Sequence, residues 1–354
     1  MLVTLPPRSV VKNWSEILEH QRVRDVLRRA VSSGKLHHAY LFTGPTGVGK
    51  FTVANALAAV LNCERRDAEE FAPNCGECSS CRRIASRQHP DFLVVEPPAR
   101  IITIDQIRAI EKAASSAPYE GRFRVVIIDD AHTMRAEGAN ALLKTLEEPP
   151  DRMIIVVVTD QPHLLLDTII SRCQRVRFGP LDDAVIADAL KEWGESDDVD
   201  DALLTIAAGY AEGSLGRALA VLETGMLSQR RQVLDALFAL DEQSPRAWLD
   251  LAEEFSDSTE QLEQRIDILT VFLRDMMLTK RADHRRVINT DLRDLLDDQA
   301  RRFSLEAILH SLDALMVARQ RLARNVTATL VAEQLLDRLR SPHRRALEPP
   351  PRFR

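Results

Sequence analysis

A chain of 354 residues exceeds one ordinary hydrophobic core and predicts two or three domains. Its 45% hydrophobic and 28% charged residues exclude disordered and collagen-like classes, and 5% aromatic content excludes a stacking platform for single-stranded nucleic acid, which needs exposed rings. A formal net charge of −6 excludes a chain that grips DNA by its overall field, so any DNA contact is expected to run through partners.

From Met1 to Ser9 no basic segment precedes an apolar run, and no stretch of 18 apolar residues occurs, so a cytoplasmic protein is expected. The first strand is predicted at Ala39 to Thr43. It leads directly into Gly44-Pro45-Thr46-Gly47-Val48-Gly49-Lys50, whose glycines let backbone N–H groups wrap a phosphate while the lysine supplies positive charge. A helix follows and adds its N-terminal dipole. The next position ordinarily carries the Ser or Thr hydroxyl that holds magnesium, but this chain has Phe51. Thr52 comes one residue late and projects about 100° away on a helix. Nucleotide binding survives this change better than hydrolysis.

Cys63, Cys75, Cys78 and Cys81 suit a closed tetrahedral zinc site within an insertion over residues 63–81. Cys63 is set apart from the other three ligands by a long spacing, and Cys173 is read as a separate, half-buried thiol. Further strands are predicted at Phe92 to Val95, Arg124 to Ile128, Met153 to Val158 and Arg175 to Phe178, each short and apolar, as in a parallel sheet covered on both faces. The third ends in Asp129 and Asp130, placed for a metal-side acid and a water-side acid. Asp130 is one methylene shorter than the usual Glu, a second mark against turnover.

Gly179-Pro180 breaks the pattern. Residues 180–223 are expected to form a small helical domain, interrupted by the acidic Gly194 to Asp201 stretch and by Gly213 to Gly216. Residues 224–340 are expected to form an all-helical domain, with Leu305, Ile308, Leu309, Leu312, Leu315 and Met316 at helical intervals behind the capping residue Ser304. The tail, 341–354, is rich in Pro and Arg and is expected to be disordered.

Taken together these residues resemble the AAA+ subunits of bacterial sliding-clamp loaders, over roughly Trp14 to Arg217. The resemblance is carried by His37-His38-Ala39-Tyr40-Leu41-Phe42 before the phosphate loop, the four-cysteine insertion, His89-Pro90-Asp91, the run Asn140-Ala141-Leu142-Leu143-Lys144-Thr145-Leu146-Glu147-Glu148-Pro149-Pro150, and Ser171-Arg172-Cys173. It implies an α/β AAA+ P-loop core over 1–179, with a zinc insertion, a helical lid and a helical collar for oligomerisation. It also implies that Arg172 is an arginine finger acting in trans on a neighbour's nucleotide, that Thr159 is the first sensor, and that Arg217 is the second. The cofactors implied are structural Zn2+ and ATP or ADP, with Mg2+ left open by Phe51. The partners implied are delta and tau or gamma subunits in a hetero-pentameric ring, and through that complex the sliding clamp and primer-template DNA, with no membrane.

Motor members of this family, tau or gamma, keep the hydroxyl and the Glu that Phe51 and Asp130 replace, and the segment Ile102 to Arg108 also fits a non-motor member better. The expectation is a stator subunit with little ATPase activity of its own. The alternative is a tau- or gamma-like motor that hydrolyses ATP with Asp129 and Asp130. A zinc-dependent nucleic-acid module is a third reading, disfavoured by the acidic balance.

Overall fold

A computed structural model describes residues 14–65, 74–193, 200–239 and 245–347. The Met1 to Ser9 segment, the middle of the cysteine insertion and most of the acidic stretch after residue 193 lie outside the described residues.

After a short 3-10 turn at Trp14–Glu16 come α1 (Gln21–Ser32), β1 (Ala39–Thr43), α2 (Lys50–Asn62), α3 (Ser79–Ala85), β2 (Phe92–Val95) and α4 (Ile104–Ala114). The chain continues through β3 (Arg124–Ile128), α5 (Ala136–Glu147), β4 (Met153–Thr159), α6 (Asp167–Ile170), β5 (Gln174–Arg177) and α7 (Asp183–Trp193). The strands form one parallel sheet in the order β2-β3-β4-β1-β5. Alternate side chains divide between two cores, which is why the strands read as unbroken apolar runs. Tyr40, Phe42, Val125, Ile127, Val156 and Val158 pack with Leu27 of α1 and with Val53, Leu57 and Leu61 of α2. Leu41, Val126, Ile128, Ile155 and Val157 pack on the other face with Ile107 and Ile110 of α4 and Leu142 and Leu146 of α5.

The fifth strand differs from its sequence reading. It spans Gln174–Arg177 rather than Arg175 to Phe178, and only Val176 is buried. As the outer strand it pairs with β1 alone, so its polar residues face solvent. Phe178 still extends the ladder, donating its N–H to Thr43 O at 2.8 Å, and is itself buried.

His89-Pro90-Asp91 has a structural explanation. The fully buried Asp91 accepts N–H donors from Tyr119, Glu120 and Gly121 and pairs with Arg124 Nη2 at 2.9 Å. It therefore fixes the turn that feeds β3.

The remaining helices are α8 (Asp201–Tyr210), α9 (Leu215–Glu223), α10 (Met226–Phe238), α11 (Pro245–Phe255), α12 (Thr259–Lys280), α13 (Arg293–Arg302), α14 (Leu305–Ala323) and α15 (Ala328–Leu347). The chain divides into two compact units: the sheet and its helices together with residues 211–217, and a helical unit built from 200–210 and the chain from residue 218 onward. Within the helical unit, fully buried Asp275 accepts from the N–H groups of Ile288 and Asn289 and from Asn289 Nδ2, and Tyr210 OH donates to Asn289 Oδ1 at 2.8 Å. Ser304 caps α14 by accepting from Ala307 N. Ile308 and Leu315 of that helix are buried, whereas Leu305, Leu309 and Met316 are exposed. Helix α15 runs on to Leu347, through residues expected to be disordered. Residues 348–354 lie outside the described residues. No described helix is long and apolar enough to cross a membrane.

Candidate nucleotide site and metal centre

The phosphate loop joins β1 to α2 at the carboxyl ends of the strands, where β1 lies between β4 and β5 and an open α/β sheet places its ligand crevice. Gly44, Gly47 and Gly49 have φ of 149°, 73° and 100°, values that L side chains rarely adopt. Two of them also lie where another segment approaches closely. A Cβ on Gly44 would stand 2.4 Å from Phe178 O, and one on Gly47 would stand 2.4 Å from Ser214 Oγ and 3.2 Å from Gly216 Cα.

The loop is tied down at several points. Gly216 N donates to Gly47 O at 3.1 Å, His20 Nε2 to Val48 O at 2.8 Å, and Thr46 Oγ1 to Asp160 Oδ2 at 2.7 Å. Pro45 and Thr46 are exposed and Val48 is buried. Lys50 is 7% exposed, and its Nζ donates to Gly44 O at 2.8 Å and Pro45 O at 2.7 Å. Burial lowers the pKa of this ammonium, while Asp160, Asp129 and Asp130 oppose the shift. To engage a phosphate, Lys50 must exchange two carbonyl bonds for phosphate oxygens.

Phe51, where a metal-binding hydroxyl is ordinarily found, packs against the core shared by α1 and α2. The Arg87 guanidinium lies 5.0 Å from its ring centroid and pairs with Glu96 at 3.0 Å. Its environment is thus apolar and cationic, which does not fit a magnesium ligand. Thr52, one position on, is half-buried on α2.

At the end of β3, Asp129 is half-buried and Asp130 exposed, the latter with φ 46°. Burial, reinforced by Asp130, raises Asp129 to a pKa of about 6. Thr159, at the end of β4, is fully buried; its Oγ1 accepts from Gln161 N at 3.0 Å and lies 3.2 Å from His132 Nδ1. The His132 and Asp160 contacts are residues that sequence reading missed. Asp160 directly follows Thr159, and His132 comes two residues after Asp130, so their signal was adjacency alone. Ligand atoms of Asp130, His132 and Asp160 lie within 4.8 Å of one another.

Phosphate loop, paired acids and Thr159 therefore share one end of the sheet. The hydrogen bonds of Arg172 lead elsewhere. Arg172 follows α6, with its side chain 34% exposed; Nη2 donates to Glu147 Oε1 at 2.6 Å and Nη1 to Thr168 O at 2.9 Å. Arg217, beside the Ser214 turn, donates from Nη1 to Glu212 Oε2 at 2.6 Å.

Cys63, Cys75, Cys78 and Cys81 place their sulfurs within 4.8 Å of one another. Zinc–sulfur bonds of about 2.3 Å in a tetrahedron set sulfur separations near 3.8 Å, so the donor set and spacing fit a metal ion. Backbone N–H groups already point at the sulfurs: Cys75 N at Cys63 Sγ, Cys78 N at Cys75 Sγ and Cys81 N at Cys78 Sγ. Burial opposes ionisation of Cys75, but the N–H groups of Cys78 and Glu77, together with the Cys78 and Cys63 side chains, outweigh it and bring the thiol down to about 7. Cys173 is buried rather than half-buried, and burial raises it to about 11.

A family model described as DNA polymerase III, delta subunit, matches residues 19–182, and one described as DNA polymerase III, delta subunit, C terminal, matches 224–341. DNA polymerase III subunit delta' of Bacillus subtilis is 32% identical over 334 residues, covering 92% of this chain and 97% of that protein. Subunit tau of the same organism is 30% identical over 302 residues, covering 77% of this chain and 51% of that protein. Subunit tau of Escherichia coli is 34% identical over 224 residues, covering 63% of this chain and 34% of that protein. The chain thus spans about half and about a third of the two tau subunits, but nearly all of the delta' subunit.

Proposed function

The chain belongs to the DNA polymerase III delta' subunit family, and from that premise we propose that it is a stator of the sliding-clamp loader, lending Arg172 in trans to the ATP of a neighbouring subunit. The observation that carries this reading is Phe51 under the Arg87 guanidinium, where a motor subunit needs a hydroxyl for magnesium. Gly44 to Lys50, with Thr159 and Arg217, would hold ATP or ADP as a structural ligand, Lys50 turning from the loop carbonyls to the phosphates. Asp129, raised to about 6 by burial, is still mostly ionised near neutrality, so the weakness of this pocket lies in Phe51 and in Asp130, which is short for activating water.

Arg172 is the chain's contribution to catalysis. A fixed guanidinium neutralises charge that develops on the transferring γ-phosphoryl group, and supplying it from a second subunit couples hydrolysis to assembly. The four cysteines hold zinc as a structural crosslink of the insertion. Residues 1–179 act as the AAA+ core, 180–223 as the lid and 224–340 as the collar of a ring with delta and tau or gamma subunits. Through that cytoplasmic ring the chain serves loading of the sliding clamp onto primer-template DNA. The test is to mix the purified chain with cognate delta and tau or gamma subunits and measure ATP-dependent clamp loading with and without it. Loading that requires this chain supports the stator. DNA-stimulated turnover by the isolated chain, abolished by Lys50→Ala, would instead establish a motor.

A further inference from the structure

We infer that Glu147 is the positioning residue of the Arg172 finger, an assignment that rests on the stator reading above. Glu147 is the last residue of α5, a helix anchored in the core by fully buried Leu142 and by Leu146. Pro149-Pro150 follow and stop the helix from extending, so the Glu147 backbone occupies a fixed helix end. Arg172 is fixed from the other side: its N–H donates to Ile169 O at 3.1 Å, and the next residue, Cys173, is buried.

The guanidinium is held at two nitrogens by acceptors from two elements, Glu147 Oε1 from α5 and Thr168 O from α6. A guanidinium has five N–H donors, and these two bonds leave three for the oxygens of a phosphate. A long side chain that is free to rotate reaches a neighbour's nucleotide only in some of its rotamers, whereas one held at two points presents its charge already oriented. The pair is also partly bathed in solvent, with side-chain exposures of 34% and 50%. Exposed ion pairs contribute little to folding, so the contact is better explained by where it holds the guanidinium than by stability.

The experiment uses the reconstituted complex with cognate delta and tau or gamma subunits, the corresponding Ser-Arg-Cys arginine of the motor subunits being replaced. Only the site bordering this chain then turns over. Glu147→Ala is expected to lower kcat there about tenfold, with KM for ATP and complex affinity unchanged. Glu147→Gln, which keeps an acceptor oxygen, is expected to recover to within about twofold of the unaltered chain. Should Glu147→Ala fail to assemble, Glu147→Asp, one methylene shorter, is expected to lose about threefold. Turnover by Glu147→Ala at or above the unaltered rate, while Arg172→Ala is defective, overturns the assignment and leaves the finger intact. Equal loss in the Ala and Gln variants with weakened assembly overturns it as well. An Arg172→Ala variant with unchanged turnover removes the finger itself.

Discussion

Replacing Gly47 with alanine tests whether the 211–217 turn is seated on the phosphate loop, and Gly49→Ala is its control. Both glycines have left-handed φ, 73° and 100°, so alanine at either costs roughly 1–2 kcal/mol in backbone strain. Only at Gly47 does the added methyl meet neighbours, 2.4 Å from Ser214 Oγ and 3.2 Å from Gly216 Cα; at Gly49 nothing lies within 4 Å. Displacing the turn costs about 1–3 kcal/mol as overpacking. Breaking the bond from Gly216 N to Gly47 O adds about 1 kcal/mol. Gly47→Ala is therefore expected to lose roughly 3–6 kcal/mol and Gly49→Ala roughly 1–2 kcal/mol. Equilibrium urea unfolding of the full chain measures the difference, and hydrogen exchange at the Gly216 amide locates it, with protection lost only in Gly47→Ala. Equal destabilisation by both variants, with Gly216 exchange unchanged, would refute the seating.

Asp129→Asn is expected to stabilise the chain at pH 8 by roughly 1–3 kcal/mol, read from thermal unfolding. Burial raises the folded pKa from 3.8 to about 6, so the protonated form favours folding fully below about pH 4 and that advantage disappears as pH rises through 6; the gain from Asn should vanish in acid. Asp91→Asn is expected to cost roughly 3–5 kcal/mol near neutrality, because Arg124 loses its buried partner. Burial opposes ionisation of Asp91, but the N–H groups of Glu120, Gly121 and Tyr119, with Arg124, lower its pKa below 3.8, so its stabilisation is present above about pH 4 and lost in acid. The Asp91→Asn penalty should shrink accordingly at pH 3. Metal analysis of the purified chain is expected to find about one zinc per chain, lost in Cys81→Ser and retained in Cys173→Ser, with chelation lowering the melting temperature. A zinc-free chain of unchanged stability would overturn that site.

Much of the sheet was legible because its strands are buried on both faces, leaving short apolar runs bounded by turn residues. β5 was misplaced by one residue, since an edge strand carries polar side chains and loses that signature. The phosphate loop and the cysteine cluster were legible because their chemistry resides in local spacing. What holds the loop down was not: His20, Asp160, Ser214 and Gly216 reach it from separate elements, and nothing in the spacing announces those encounters. The same is true of Glu147, which sequence reading quoted only as part of a motif and which the fold brings to Arg172 across 25 positions. That Phe51 lacks a hydroxyl is plain from the sequence, but its stacking with Arg87 depends on the segment between α3 and β2 returning over α2.

In the proposed stator, this chain's guanidinium, and not its own pocket, drives ATP turnover. This is tested most directly by Arg172→Ala in the reconstituted complex, with turnover restricted to the site bordering this chain. Turnover is expected to fall by about a thousandfold or more with assembly intact. Undiminished turnover at that site would contradict it.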